Sequence, residues 1–445
     1  MAIIYYLCGK DMKIMRIFLL LAAILVVTTT SAQELVQPFE NGQPARRAVV
    51  PYGRATDAQS ADPANSNYVA KLAEWSVSAD KRLYETSFAV PVWWLNRQVI
   101  VRVGHASSAY EVLVDNRRVG YAASGATPVE FNVTKYAKEG RRQLAIRLVD
   151  SEHNLINAHH KGAEPSVTDV MVLCQPSLRI RDIVTSTTLN DAGQGLVMVS
   201  MVVKCDALNP KRSEINYTLR LNDTTVLTGG SRKVGLDMRR EDTVRFSARV
   251  PVEGLWSQNN PHRLILDIEN KMDNRPAEYI HCQLGVRAAD VVDNALHINN
   301  SKTTLKLRNF NPQLSLEAHI ADGYTGIVIP SYYATDALLD SCDEKGVLVF
   351  IQAAICTTAL GDNIRLGGNP SNNPFWLNTY LDLNRMAYYS TRHHPSVVGY
   401  AIADGTTTGI NVYESYLLLK RLETRLPIIY EGNCGEWCSD RVTIR

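Results

Sequence analysis

The chain has 445 residues, of which 45% are hydrophobic and 21% charged, and its formal net charge is +2. That length accommodates two or three domains, each able to bury its own core, and the composition is that of an ordinary globular protein. With so small a net charge and no Lys/Arg run longer than a pair, nothing points to a nucleic-acid partner.

The N-terminus reads as a targeting segment. Lys13 and Arg16 precede an apolar run, 17–27, that is too short to span a bilayer, and Thr30-Ser31-Ala32 supplies the small residues of a cleavage site. Residues 1–32 are therefore expected to be a signal peptide cut after Ala32, with Met12 a candidate start. A short signal anchor is the alternative. No Cys follows the run to carry a lipid, so no stable membrane anchor is expected after cleavage, and the mature chain should be periplasmic or extracellular. Seven cysteines remain after residue 32: Cys174, Cys205, Cys282, Cys342, Cys356, Cys434 and Cys438. The odd, scattered set fits buried single cysteines better than a disulfide framework. Cys434 and Cys438 are the only close pair. They are compatible with a disulfide after export and are weak evidence for zinc.

Residues 33–75 are rich in Pro, Gly, Asn and Ala and read as an extended lead-in, packed in part at most. Over 76–176 short alternating strands follow, at 83–90, 99–103, 110–114, 129–133 and 143–149, with turns at Asp115-Asn116 and Glu139-Gly140. Regular short strands without helices predict a β-sandwich. Trp93 and Trp94 are candidates for a sugar platform. As neighbours on a strand they would point to opposite faces, so at least one belongs to the core. Residues 177–287 form a second all-β segment of immunoglobulin-like length, with strands at 180–185, 195–203, 215–221, 243–250 and 264–269.

Over 288–445 the texture becomes α/β. Strands at 304–307, 326–329, 347–351, 397–402 and 426–430 alternate with helical stretches at 335–345, 376–391 and 411–425. In the last helix Val412, Tyr416, Leu419 and Leu422 recur at helical spacing. This alternation predicts a parallel sheet or barrel. Its centre is Arg392–Gly409, RHHPSVVGYAIADGTTTG: a Pro-punctuated turn, a strand buried on both faces, then a Gly/Thr loop.

That stretch resembles the acid/base strand of family 2 glycoside hydrolases, the β-galactosidases, β-glucuronidases and their relatives. His394, Pro395, Ser396 and Val397 match the family's His-Pro-Ser-Val. Tyr400 and Ala401 stand where Trp-Ser is usual. Asp404 replaces the Asn, and Gly405 replaces the catalytic Glu. The resemblance runs from Arg82 to Asp440. It includes the 112–120 hairpin, the 127–134 strand, Leu255-Trp256-Ser257 with Pro261-His262-Arg263-Leu264, Gly285-Val286-Arg287, and 427–432. It implies a jelly-roll sugar-binding domain, an immunoglobulin-like sandwich and a partial TIM-type barrel.

Retaining glycosidases of this kind need two carboxyl groups about 5–5.5 Å apart, which the resemblance places at the ends of the fourth and seventh barrel strands. At the fourth, Asp404 is either a shifted acid or simply the turn residue before Gly405. The seventh strand falls beyond the chain, which supplies fewer residues after Asp293 than the roughly 200–250 of a whole barrel. Substrate-contact candidates by resemblance are His394, Tyr400, Asp404 and Glu431, with His394 better suited to a structural role. The family's divalent-metal position falls on Cys356 and Thr358, its Asp-Glu pair on Ile351 and Gln352, and its His-rich loop on residues 309–312. No metal and no cofactor are expected. The implied function is carbohydrate binding or scaffolding by a catalytically degenerate, β-galactosidase-type chain. A retaining β-glycosidase completed by a missing or separate C-terminal half, or a gene remnant, are the alternatives. Two open sheet edges predict a homo-oligomer or a partner covering the open barrel.

Overall fold

The computed structural model describes residues 39–151, 156, 164–430 and 437–444. The targeting segment, Glu431, Cys434 and Glu436 lie outside the described residues. No helix among the described residues is long and apolar enough to cross a membrane.

The first sandwich pairs a six-stranded sheet with a four-stranded one. Leu83–Val90 and Gly140–Val149 lie side by side in the larger sheet, and Gln98–Ala106 is central to the smaller. Alternate residues of these strands (Phe88, Val101, Val103, Leu144, Ile146) meet Phe131 in one core. Burying one face of each sheet is what the period-2 pattern dictates. Asp115 and Asn116 take φ values of 48° and 61°, the left-handed pair that closes a two-residue hairpin.

Two expectations need correction here. The lead-in is integrated rather than loosely attached. Phe39–Glu40 and Gly42–Pro44 add an edge strand to each sheet, Tyr52 bridges to Tyr279, and Ala45, Val49 and Tyr52 are buried. Secondly, Trp93 and Trp94 lie in a 3-10 turn, Val92–Trp94, not on a strand. The turn buries Trp94, whose Nε1 donates to Asn67 O at 3.0 Å, and leaves Trp93 61% exposed.

The second sandwich has sheets of three and four strands. In Gly195–Cys205 every second residue is buried (Val197, Val199, Met201, Val203). Two of its strands, Val226–Leu236 and Arg275–Leu284, carry no clear apolar alternation. The first contains Gly229-Gly230 and is mostly exposed, which is how an edge strand reads.

A three-stranded meander, Ala289–Val292, Ala295–Ile298 and Ser301–Thr303, leads into the α/β unit. Its strands are β1 (Leu307–Asn309), β2 (Gly326–Pro330), β3 (Leu348–Gln352), β4 (Val397–Ala401) and β5 (Ile428–Ile429). Its connecting helices are α1 (Asp336–Lys345), α2 (Leu377–Thr391) and α3 (Ile410–Leu422). All pairings are parallel, and the order β1-β2-β3-β4-β5 never reverses. A doubly wound sheet reverses direction at a switch point, so sequential order identifies the barrel type. Thr335 caps α1 by accepting from Leu338 N, and Gly346 ends the helix at φ 66°, the usual N-cap and left-handed C-cap pair.

Both faces of the sheet are covered. On the helix side Ile327, Ile329, Val349, Ile351 and Ile428 pack with Leu339, Tyr380, Leu383 and Leu419. On the opposite side Leu348, Phe350, Val398 and Ile429 pack with Trp256 of the second sandwich, Leu296 and Ile298 of the meander, and Val442. Gly399 makes this possible, because any Cβ there would collide with the Phe350 ring. The segment after residue 437 returns across the sheet: Asp440 N donates to Ile428 O and Thr443 N to Asn294 O, each at 2.8 Å, and Ile444 bridges to Leu305. β3 and β5 pair with β4 on both sides, so the open edges belong to β1 and β5 among the described residues.

Candidate functional site

In a barrel the chemistry belongs at the C-terminal strand ends. Beyond β4 the chain continues buried through Ile402 and Ala403 and then turns at Asp404-Gly405. Asp404 N donates to Ile355 O and Thr357 N to Gly405 O, each at 2.8 Å, so this turn is stitched to the loop after β3. Gly405 sits at φ +107°, and a Cβ placed there would lie 3.4 Å from Thr358 Cγ2 and 3.6 Å from Cys356 Sγ.

The surroundings are hydroxyls rather than carboxyls. Thr406 Oγ1 lies 2.5 Å from Thr357 Oγ1 and 2.9 Å from the Tyr380 hydroxyl. Thr357 Oγ1 also donates to Asn369 Oδ1 at 2.9 Å. Tyr430, directly after β5, donates to Thr406 O at 2.6 Å, and Ser371 meets Thr407 at 2.6 Å. Burial pushes the Tyr380 phenol up to about 12, so it stays a neutral donor at physiological pH. Gln352, where the resemblance has a carboxylate, is buried and spends its amide on Ala403 O at 3.0 Å. Asp404 alone among these residues carries a carboxyl. It faces the region of Tyr332, whose phenol is raised by burial first, then by Tyr333, with the charge of Asp404 adding to the effect.

Aromatic rings border the same end of the sheet. Phe310, after β1, stacks on His319 at 5.1 Å and lies 5.3 Å from Tyr333, and Tyr332 and Tyr333, after β2, are 4.3 Å apart. Sequence patterning does not single these three out, although an aromatic pair directly after a barrel strand is a usable signal. Tyr332 and Ser331 also line a cavity of about 440 Å³ that reaches the first sandwich at Arg102, His105 and Asp169.

The other sequence candidates fall elsewhere. His394 is at the opposite, N-terminal end of β4, 4% exposed, with Nδ1 2.7 Å from Asp343 Oδ2. Asp343 Oδ1 accepts from Ser396 N at 3.0 Å, so this carboxylate clamps the His-Pro-Ser turn. Tyr400 points into the helix layer, 5.4 Å from Tyr388, and burial drives its phenol well above the usual range. Neither residue shares a surface with Asp404. Glu431 lies outside the described residues. Cys356 Sγ and Thr358 Oγ1 are 3.6 Å apart. A thiol and a hydroxyl do not form the oxygen-rich donor set of a hard divalent cation, so these two residues do not fit the metal that the resemblance places there.

Two sandwiches feeding a sequentially ordered β/α sheet, with a polar, aromatic-rimmed cluster at its strand ends, define a multidomain protein with a unit of the β/α-barrel type. The family model described as "Glycosyl hydrolases family 2, sugar binding domain" matches residues 47–158, and that described as "Glycosyl hydrolases family 2, TIM barrel domain" matches 329–444. The chain belongs to family 2 of the glycoside hydrolases and is β-galactosidase/β-glucuronidase-like. It is 22% identical over 382 residues to a β-galactosidase of Priestia megaterium, covering 78% of this chain and 36% of that protein. It is also 22% identical over 388 residues to one of Psychromonas ingrahamii, covering 81% and 37%. The chain thus spans little more than a third of these curated relatives. A solved β-glucuronidase 2 of Bacteroides uniformis, covalently bound to cyclophellitol-6-carboxylate aziridine, superposes with a TM-score of 0.63 at 18% identity, over 88% of this chain and 52% of that one. At that identity the likeness is one of fold.

Proposed function

We propose that this chain engages carbohydrate without hydrolysing it, as a binding or scaffolding member of the family, and that it works outside the cytoplasm. The observation that carries the reading is Gly405: the residue at the end of β4 has no proton to give, and its neighbours are hydroxyls already bonded to one another. General acid catalysis is worth roughly 10²–10⁴-fold, and retention needs a carboxyl pair. The half-buried rings of Phe310, Tyr332 and Tyr333, with the cavity beside Tyr332, supply the apolar faces and convergent polar groups of a sugar site. Calorimetric titration of the purified chain with β-galactosides and β-glucuronides, compared with a Tyr332→Ala variant, tests this. Binding weakened by the substitution is expected, and no binding to any glycoside would count against it. Export is tested by N-terminal sequencing of the secreted or periplasmic protein, with Gln33 expected first.

The coverage of little more than a third of its relatives favours a second reading, in which further polypeptide completes an active retaining β-glycosidase. That reading predicts hydrolysis on adding the complementary segment, lost in Asp404→Asn.

A further inference from the structure

In the helix layer, Asp336, the first residue of α1, meets the turn that enters β4. Asp336, His393 and His394 each bring one ligand-type atom into a group whose atoms lie within 4.8 Å of one another. The state of His394 follows from its surroundings. Its Nδ1 is 2.7 Å from Asp343 Oδ2, and Asp343 already accepts from Ser396 N through its other oxygen. An ionised carboxylate only accepts, so Nδ1 carries the hydrogen. Nε2 is then turned towards Asp336. It is buried, makes no hydrogen bond, and stands 3.9 Å from Asp336 Oδ1, an ion-pair distance that is too long for a hydrogen bond. His393 also has a buried ring nitrogen, Nδ1, without a hydrogen-bond partner.

A buried polar atom left unmatched costs about 1–3 kcal/mol, and here two imidazoles leave one each beside a carboxylate. Histidines that bind metal are commonly held from behind by a carboxylate in this way. We propose that Asp336, His393 and His394 form a binding site for a zinc-type divalent cation, with Asp343 as the residue that orients His394.

Two nitrogens and one oxygen favour such an ion over calcium or magnesium, which take oxygen ligands. Zinc bonds of about 2.0–2.2 Å place tetrahedral ligands roughly 3.3–3.5 Å apart, so the 3.9 Å pair must close only slightly. Asp336 Oδ2 is held by Arg102 of the first sandwich at 3.4 Å, which leaves Oδ1 for the ion. That guanidinium is the chief opposing charge, and Glu130 lies 3.6 Å from it. Access is open from two sides: Asp336 lines the cavity of about 440 Å³, and His393 and His394 line another of about 340 Å³ beside the second sandwich. A bound ion would thus tie α1 to the β4 turn and, through Arg102, to the first sandwich. The site is separate from the Cys356–Thr358 position and needs no catalytic role.

The test is titration of zinc chloride into the EDTA-treated, dialysed full chain, followed by calorimetry and thermal unfolding, with calcium and magnesium chlorides as controls. One zinc per chain and a raised Tm are expected, with no response to calcium or magnesium. His393→Gln and Asp336→Asn should each weaken zinc at least tenfold, and Asp343→Asn should weaken it 10–100-fold as an orienting residue. If Asp336→Asn fails to fold, His393→Gln decides alone, because that ring is only half-buried. No zinc uptake, or uptake unchanged in His393→Gln, overturns the proposal.

Discussion

Gly405 is held at φ +107°, a conformation that side-chain-bearing residues rarely adopt and that costs them about 1–3 kcal/mol. Restoring the family's acid by Gly405→Glu would therefore strain the backbone, although its Cβ would meet Cys356 and Thr358 at ordinary contact distances. The variant is expected to lose about 1–3 kcal/mol in denaturant unfolding and to gain no hydrolysis, since one carboxyl without its partner does not turn over substrate. Turnover by this variant would show that the chain carries a second carboxyl able to act as nucleophile. Glu278 offers a second residue-scale test. It is buried in the second sandwich, with Oε1 accepting from Asn270 Nδ2 at 2.9 Å and Oε2 unmatched, and burial raises its pKa. Because the folded value lies above the unfolded one, its stabilising contribution is complete below the unfolded pKa near 4.3 and is lost as pH rises through the folded value. Glu278→Gln should thus gain stability relative to the parent as pH rises from 4 to 8. A loss that grows with pH would show that the anion is needed, through Arg97 or Arg179.

At the scale of elements, Trp256 joins the second sandwich to the parallel sheet. It is fully buried, donates from Nε1 to Asp343 O at 2.8 Å, and packs on Leu348 and Phe350. Trp256→Ala should cost about 3–5 kcal/mol and expose the α/β unit to protease. Trp256→Phe should cost less, since it keeps most of the packing and loses the hydrogen bond. Unchanged protease resistance in the Ala variant would mean that the meander and the 437–444 segment hold the sheet unaided. This joint also shows what a sequence can convey. Leu83–Val90 and β4 are legible because one alternates and the other is uniformly apolar, each the direct signature of one-sided or two-sided burial. Val226–Leu236 is not, because an exposed edge strand puts little constraint on side chains. The 3-10 turn at Trp93-Trp94 is missed because the apolar run Val92-Trp93-Trp94-Leu95 reads as strand. At the site, Gly405 is visible only through the ordered motif before it. The Asp336–His393–His394 cluster is invisible because its members meet through folding, not through spacing.

At the scale of the molecule, the α/β unit is docked, not tethered. Arg287 of the second sandwich donates to the carbonyls of Pro395 and Val397, Arg392 pairs with Asp182, and Arg102 reaches Asp336 at 3.4 Å. With these ties in place, the segment after Asp293 is not expected to be cut away first. Limited proteolysis should instead cleave exposed loops such as 358–368 before releasing a sandwich pair ending near 285–293. A partner for the sheet edges remains a proposal, and sedimentation of the purified chain tests it, a dimer or larger species being expected. On the proposed reading, the end of β4 binds carbohydrate without catalysing its hydrolysis. The most direct test is hydrolysis of aryl β-galactoside and aryl β-glucuronide by the purified chain beside its Asp404→Asn variant. Equal, background rates are expected for both. A rate well above background that Asp404→Asn abolishes would contradict that reading.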